Sequence, residues 1–350
     1  MLRNSKLFFP VLVALLITML LSGVGFGAVS IRVTEMFSAL KHFFTGQPPG
    51  NIYEGVFLQL RLPRVLLCAI TGAILASSGV LMQGLFRNPI VEPGLVGTSA
   101  GAAFGASIVF VLSASMSPQV KSITGPLLVP IFAFAGGLLS TYIVYSLSKN
   151  MRKVSITSLL LIGIAVNAVG LSGTGFMSYI ARDPQARSIT FWNLGTFSGA
   201  NWQQVFITGA VAALIFFLAL RYSKRLNALL LGEEEASYLG VDPDKLKRRV
   251  MILNTAMVSV ATAFVGVISF MGLIVPHVLR LLIGSDNKKL LPASMLAGAI
   301  LLTLADIGAR LLLAPAEIPI GIITSIVGAP VFIILLKKFN ILQEKGGFYA

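Results

Sequence analysis

The chain has 350 residues, of which 56% are hydrophobic and only 11% charged, with a mean hydropathy of +0.88 and a formal net charge of +14. A soluble domain carries about 25% charged residues, so this composition excludes an ordinary soluble fold and describes a polytopic helical membrane protein, whose spans each need roughly 20 apolar residues. The strands of a β-barrel would be roughly ten residues long and alternating, and the positive charge reads as topological information rather than as a nucleic-acid surface.

The first apolar run, Leu7 to Ala28, follows the basic start MLRNSK and resembles a signal peptide. It exceeds the roughly 7–15 residues of a signal core, so it is expected to be the first span. Further apolar runs fall at about 62–84, 96–115, 126–148, 156–180, 202–221, 250–268, 270–284, 291–313 and 319–336, making ten spans, with Pro276 inside the short eighth run. With the N-terminus inside, 19 of the 27 Lys/Arg fall in inside segments and 8 outside. The positive-inside rule then places both termini in the cytoplasm.

In chain order, Arg61-Leu-Pro63-Arg64 opens the second span on the outer side, against the charge bias. The two guanidiniums share one helix face. They suit either carboxylates of a soluble partner, which arginine grips in a fork, or lipid phosphates reached by snorkelling. Cys68 is the one cysteine, so no intrachain disulfide can form, and it reads as a small core residue. His42 and His277 stand far apart and suggest no metal site. Gly97, Gly101 and Gly105 repeat at every fourth position, a pattern for close helix packing in lipid, with pathway lining the other reading. The stretch Gly79–Pro89 echoes Gly266–Pro276, a faint sign of an inverted repeat.

Between the sixth and seventh spans lies a charged island, Arg221–Arg249, whose 29 residues hold seven of the 27 Lys/Arg and five of the 13 Asp/Glu. Within it Gly232-Glu-Glu-Glu235-Ala-Ser-Tyr-Leu-Gly240 places acids at a helix start and glycine at its end. Asp242-Pro243 is expected to open a second short helix. Leu229, Leu230, Leu231, Tyr238 and Leu239 then form an apolar set able to enter a cleft on a soluble partner; an ordinary solvated loop is the other reading, and the island's length beside the short loops elsewhere favours the partner. In the ninth span Asp306 lies four residues before Arg310, so the two can pair, as a structural ion pair or as part of gating or docking. No G-x-x-x-x-G-K-[ST] and no H-E-x-x-H occur, so the chain offers neither a nucleotide cradle nor that zinc site.

Four blocks resemble the permease subunits of bacterial ABC importers for iron complexes, haem and vitamin B12 (FecCD-type). They are RLPR at Arg61–Arg64, Gln83–Ala102, LGEEEASYLGV at Leu231–Val241 and Gly266–Leu336, and the resemblance covers nearly the whole chain after the first span. It implies an all-α polytopic fold with ten transmembrane helices in an inverted 5+5 pseudo-repeat, the type II importer permease. It further implies one permease domain over residues 1–350 with a cytoplasmic coupling loop at about 222–249. Such a subunit is not an enzyme and binds no cofactor; ATP is used by a partner. The implied partners are a second copy in a homodimer, two cytoplasmic ATPase subunits, a periplasmic or lipid-anchored substrate-binding protein and membrane lipid, with no nucleic acid. The implied location is the bacterial inner membrane.

By the same resemblance, Arg61, Arg64 and Arg310 receive acidic residues of the binding protein. Gly232, Glu233, Glu234, Glu235, Ala236, Leu239 and Gly240 form the coupling helix that sits in the ATPase. Asn88, Ile90, Ile156 and Thr157 fall at the cytoplasmic gate, and Asn167 falls on a pathway-lining helix. The outer segment Arg182–Trp202, with Asp-x-Gln-x-Arg before Thr-Phe-Trp, is most similar to the haem branch. Its Phe191-Trp192 pair could face a flat macrocycle or belong to an interfacial aromatic belt. Ferric siderophore and cobalamin are the alternative cargoes. An ion-coupled secondary transporter would need several buried acids, and an intramembrane enzyme would need paired catalytic groups; neither set is found in the spans.

Overall fold

The computed structural model describes residues 7–27, 31–113, 116–150 and 153–344, and over them the chain is a helical bundle with one small hairpin. Helix α1 is Phe8–Gly25, α2 Val33–Thr45 and α3 Ile52–Val56, which runs through a π-helical turn, Phe57–Arg61, into α4, Leu62–Phe86. A 3-10 turn, Pro93–Val96, leads to α5 (Thr98–Leu112) and α6 (Pro118–Leu147). The hairpin β1–β2 pairs Lys149–Asn150 with Lys153–Val154 in antiparallel register. The remaining helices are α7 (Ile156–Ile180), α8 (Gln185–Asn193), α9 (Trp202–Leu231), α10 (Glu233–Tyr238), α11 (Pro243–Val265), α12 (Met271–Ile283), α13 (Asn287–Leu311) and α14 (Ile320–Glu344).

Each apolar run read from the sequence falls on one of these helices. Among the described residues eight are long and apolar enough to cross a membrane, while α5 and α12 are apolar but shorter, at 15 and 13 residues. Both short helices follow a break in the chain. The first is the 3-10 turn ending at Gly97, and the second is the segment Gly266–Phe270 with both end residues at positive φ. The end of the first run, Ala28, and the basic residues Arg3, Lys6, Arg152 and Lys345 lie outside the described residues.

Three expectations are corrected. The sixth span does not stop at Arg221: α9 continues to Leu231 and ends at Gly232, whose φ of +144° favours glycine. Hydropathy marks where lipid ends, not where hydrogen-bonded backbone ends. Asp242-Pro243 opens no separate short helix but the 23-residue α11, so the expected second helix of the island runs unbroken into the seventh span. The echo between Gly79–Pro89 and Gly266–Pro276 does not align equivalent elements, because Gly79–Phe86 is helical whereas Gly266–Phe270 is a break.

Helix α4 is the axis of the bundle and is buried along nearly its whole length. It packs against α9, α11, α12 and α13. Glycine makes two of these approaches possible. A Cβ on Gly72 would stand 2.3 Å from the Gly298 carbonyl oxygen of α13, and one on Gly79 would meet the Gly272 carbonyl of α12. Without a strong hydrophobic drive between helices in lipid, such backbone-on-backbone packing supplies the association. The stripe Gly97, Gly101 and Gly105 resolves the same way. Gly101 and Gly105 press on the backbone of α6 at Gly136 and Phe132, while Gly97, at φ +90°, turns the chain into α5.

Candidate functional site

The two ends of the bundle carry different chemistry. Arg61 begins α4 and Arg87 ends it, and Arg87 lies 3.9 Å from Glu233 of the charged island. The arginine cluster and the island therefore occupy opposite ends of the same central helix.

At the first end Pro63 opens α4 directly after the π turn, and a π turn often marks a functional position. Arg64 donates from Nε and Nη2 to Asp306 Oδ1 at 3.1 and 2.8 Å, and from Nη1 to both Glu317 oxygens at 2.8 and 2.9 Å. Asp306, 1% exposed, also pairs through Oδ2 with Arg310 Nε at 3.0 Å. Arg310 Nη1 donates to the Phe26 carbonyl at 2.9 Å and Nη2 to the Gly23 carbonyl at 2.8 Å. Arg61 donates to the same Phe26 carbonyl. The expected Asp306–Arg310 pair is thus present, as part of a larger cluster that ties α4 and α13 to the end of α1. Of the three arginines expected to dock a partner, Arg61 and Arg310 are buried and committed to main-chain carbonyls. Arg64 is itself mostly buried, 12% exposed, but one edge of its guanidinium reaches the half-exposed Glu317. Glu317 was not singled out from the sequence; its one signal is that it is the lone acid in the connector after α13.

At the island end, Gly232 precedes α10 and Gly240, at φ +77°, follows it. Ala236 is buried, whereas Leu231, Tyr238 and Leu239 are exposed, Tyr238 by 89%. The apolar set divides: Leu229 is core and the tip residues face outward. Glu233 Oε2 accepts from Lys247 Nζ at 2.7 Å, and Glu234 and Glu235 are exposed. Asp242 caps α11 by accepting from the Lys245 N–H at 3.0 Å, which holds its carboxyl below the ordinary range. Asn227 near the end of α9 donates to Asp286 at 2.7 Å and accepts from the backbone and side chain of Asn287, both at 2.9 Å, locking α9 to the start of α13.

The residues expected at a gate lie beside this end. Asn88 is exposed and its Oδ1 accepts from the Ile90 N–H at 3.0 Å, closing the turn after α4. Ile156 is half-buried and Thr157 exposed, at the first turn of α7, with Ser155 as its cap. Asn167, half-buried in α7, donates its amide to the Gly94 and Leu95 carbonyls at 3.3 and 3.2 Å, so it braces the 3-10 turn. The Phe191-Trp192 pair also divides: Phe191 is exposed and Trp192 packs on the α5–α6 core. A cleft of about 300 Å³ lies between Asn193–Leu194, the Val267–Ser269 break and α14 at Gly321–Ile326, lined by Ser269 and Ser325 and by no titratable side chain. Among the described residues no cluster of His, Cys, Asp or Glu could hold a metal ion.

The chain matches the FecCD transport family over residues 14–338. It is 38% identical over 335 residues, 96% of each chain, to the hemin transport system permease protein HmuU of Yersinia pestis. It is 39% identical over 282 residues, 79% of this chain and 72% of the relative, to the cobalamin import system permease protein BtuC of Halobacterium salinarum. Among solved structures it superposes with a TM-score of 0.82 and 33% identity, over 95% of this chain and 99% of the other, on an inward-facing ABC transporter described as of metal-chelate type.

Proposed function

The chain belongs to the FecCD transport family and is a permease subunit of an ABC importer, not an enzyme; from that premise we propose that its cargo is haem. The observation that carries the haem reading is the 38% identity to a hemin permease over 96% of both chains. The Arg182–Trp202 segment, which resembles the haem branch, supports it. So does a cleft lined by small polar and apolar groups, which suits a permease that passes its cargo rather than ligating it.

In this reading two copies form the pathway, α7 and α14 face it, and Asn167 stands on its wall. The island end is cytoplasmic, and α10 enters a cleft on each ATPase subunit with Tyr238 and Leu239 at its tip. A substrate-binding protein docks at the other end. Arg64 is the arginine free to exchange its acid: it leaves Glu317 for a carboxylate of the partner, while Arg61 and Arg310 hold the platform in place.

The test is to purify the cognate binding protein with its natural ligand and to reconstitute the full transporter in vesicles. A haem absorption spectrum and ATP-dependent haem uptake are expected. Cobalamin is the second reading, favoured by the 39% identity to a cobalamin permease, and a corrinoid spectrum would establish it instead. Uptake that persisted without the ATPase subunits would remove the ATP-driven reading altogether.

A further inference from the structure

Lys247 is 2% exposed, although lysine is among the residues least often buried. Its Nζ donates to Glu233 Oε2 at 2.7 Å and to the Val154 carbonyl at 3.1 Å. Asp244 adds a second grip on the same residue, accepting from the Val154 N–H at 3.3 Å. Val154 closes the β1–β2 hairpin opposite Lys149 and stands one residue before the Ser155 cap of α7. The other oxygen of Glu233, Oε1, lies 3.9 Å from Arg87 Nη2. Arg87 is the left-handed residue, φ +51°, that ends α4 and adjoins Asn88.

One carboxylate on the first turn of α10 therefore holds two cations, Arg87 at the turn after α4 and Lys247, whose ammonium also bonds the Val154 carbonyl just before α7. We propose that Glu233 is a two-armed hub that passes displacement of α10 through Lys247 to the first turn of α7 and through Arg87 to the turn after α4. Lys247 and Arg87 are positioning residues in this scheme. Asp244 on the same helix lies 3.8 Å from the Lys247 ammonium, but the short contact is the one to Glu233, and a buried ammonium does not give up a short carboxylate bond cheaply. When α10 shifts, Lys247 follows Glu233, and Val154 follows Lys247, because the same Nζ holds both. The Arg87 arm is longer and more exposed, so it is the weaker of the two. The inference rests on the reading that α10 is the ATPase dock and that Asn88–Ile90 and Ile156–Thr157 form the cytoplasmic gate.

The experiment uses the whole transporter, with its ATPase subunits and binding protein, in lipid nanodiscs. Cys68 is the one native cysteine and is buried, so Cys68→Ala provides a background for a single introduced thiol, Thr157→Cys or Asn88→Cys. Maleimide labelling is timed with and without ATP plus vanadate. The parent is expected to change its labelling rate about tenfold at both positions. Glu233→Ala should reduce that change to less than about twofold at both. Lys247→Met should abolish it at Thr157→Cys alone and Arg87→Ala at Asn88→Cys alone, with Lys247→Arg, which keeps the donors, restoring the response at the α7 site. A full response at Thr157→Cys in the Glu233→Ala protein would overturn the hub, as would Arg87→Ala silencing both sites. Glu233→Ala replaces a half-exposed side chain and leaves Lys247 a second carboxylate, Asp244 at 3.8 Å, so the hub remains testable if Lys247→Met fails to fold. A parent that shows no nucleotide-dependent change at either thiol overturns the gate reading itself, and the hub with it.

Discussion

Arg64 and Asp306 are separated by 242 residues of chain and meet at 2.8 Å, on a carboxylate that a second arginine, Arg310, also engages. Through this one buried acid Arg64 holds the start of α4 to the end of α13, and Arg310 ties the same acid to the end of α1. Breaking a buried pair by removing one partner costs about 3–5 kcal/mol, because a charge is left uncompensated. Asp306→Ala should therefore lower the thermal melting of the purified protein markedly. Glu317→Gln, which removes the half-exposed acid on the same Arg64, should cost less than about 1 kcal/mol. Comparable melting of the two variants would show that Asp306 does not carry the cluster.

The same cluster sets an expectation for docking. Arg64→Lys, which keeps a cation beside Asp306 but loses the fork that also reaches Glu317, should weaken capture of the substrate-binding protein in a pull-down, while the permease keeps its assembly state. Glu317→Gln should strengthen capture, because a partner's carboxylate no longer competes with it. The Glu317 end of this pair is open to solvent, which keeps the pair near 1 kcal/mol or less, so the gain should not exceed about fivefold. Weaker binding of the Glu317→Gln protein would mean that Glu317 supports the dock instead of occupying it.

Close backbone packing gives a third expectation. A Cβ on Gly72 would stand 2.3 Å from the Gly298 carbonyl oxygen, with no flexible side chain to yield. Gly72→Ala should cost about 1–3 kcal/mol through overpacking. Gly308→Ala in the same α13 meets no atom within 4 Å and should be neutral or slightly stabilising. Monodisperse yield after detergent extraction and melting temperature would check the contrast.

A fourth expectation concerns pH. The Asn227 amide, then burial and the Lys288 N–H, act on the Asp286 carboxyl, and the net effect holds it below its ordinary value of 3.8. A carboxyl depressed in the folded state stabilises the fold fully above its unfolded pKa, and this contribution is lost as pH falls through the folded value. The lock between α9 and α13 should thus be indifferent to pH from neutrality down to about 5 and weaken only below about 4. Asn227→Ala leaves the Asn287 donors without their acceptor, a loss of about 1–3 kcal/mol at neutral pH, and should flatten the acid limb of a melting-versus-pH curve.

Much of this molecule was legible from sequence for a physical reason: lipid demands long apolar runs, and the runs fall on the helices. The island's acids and bracketing glycines marked α10 correctly, since helix termini favour them locally. The end of α9 was not legible, because Arg221–Asn227 leaves the apolar stretch without leaving the helix. In the sequence Arg61 and Arg310 look like any basic residues near a helix end. Their commitments run to the Phe26 and Gly23 carbonyls, far away in the chain, and main-chain acceptors leave no trace in residue type. Glu317 and the buried Lys247 were missed likewise, because each acquires its role from a neighbour that only folding supplies.

The glycine contacts of α4 also bear on stiffness. Where backbone rests on backbone, at Gly72 with Gly298 and Gly79 with Gly272, there are no side-chain rotamers to absorb a shift. Helices α4, α12 and α13 should then displace as one block. The apolar stretches of α7 and α14 are each only 17% buried within the chain, against 83% for the segment that carries Gly72 and Gly79. Compliance is unevenly distributed: the molecule is built as a hard spine ringed by softer staves, α7 and α14 among them, and any stroke delivered to it must be taken up by the staves.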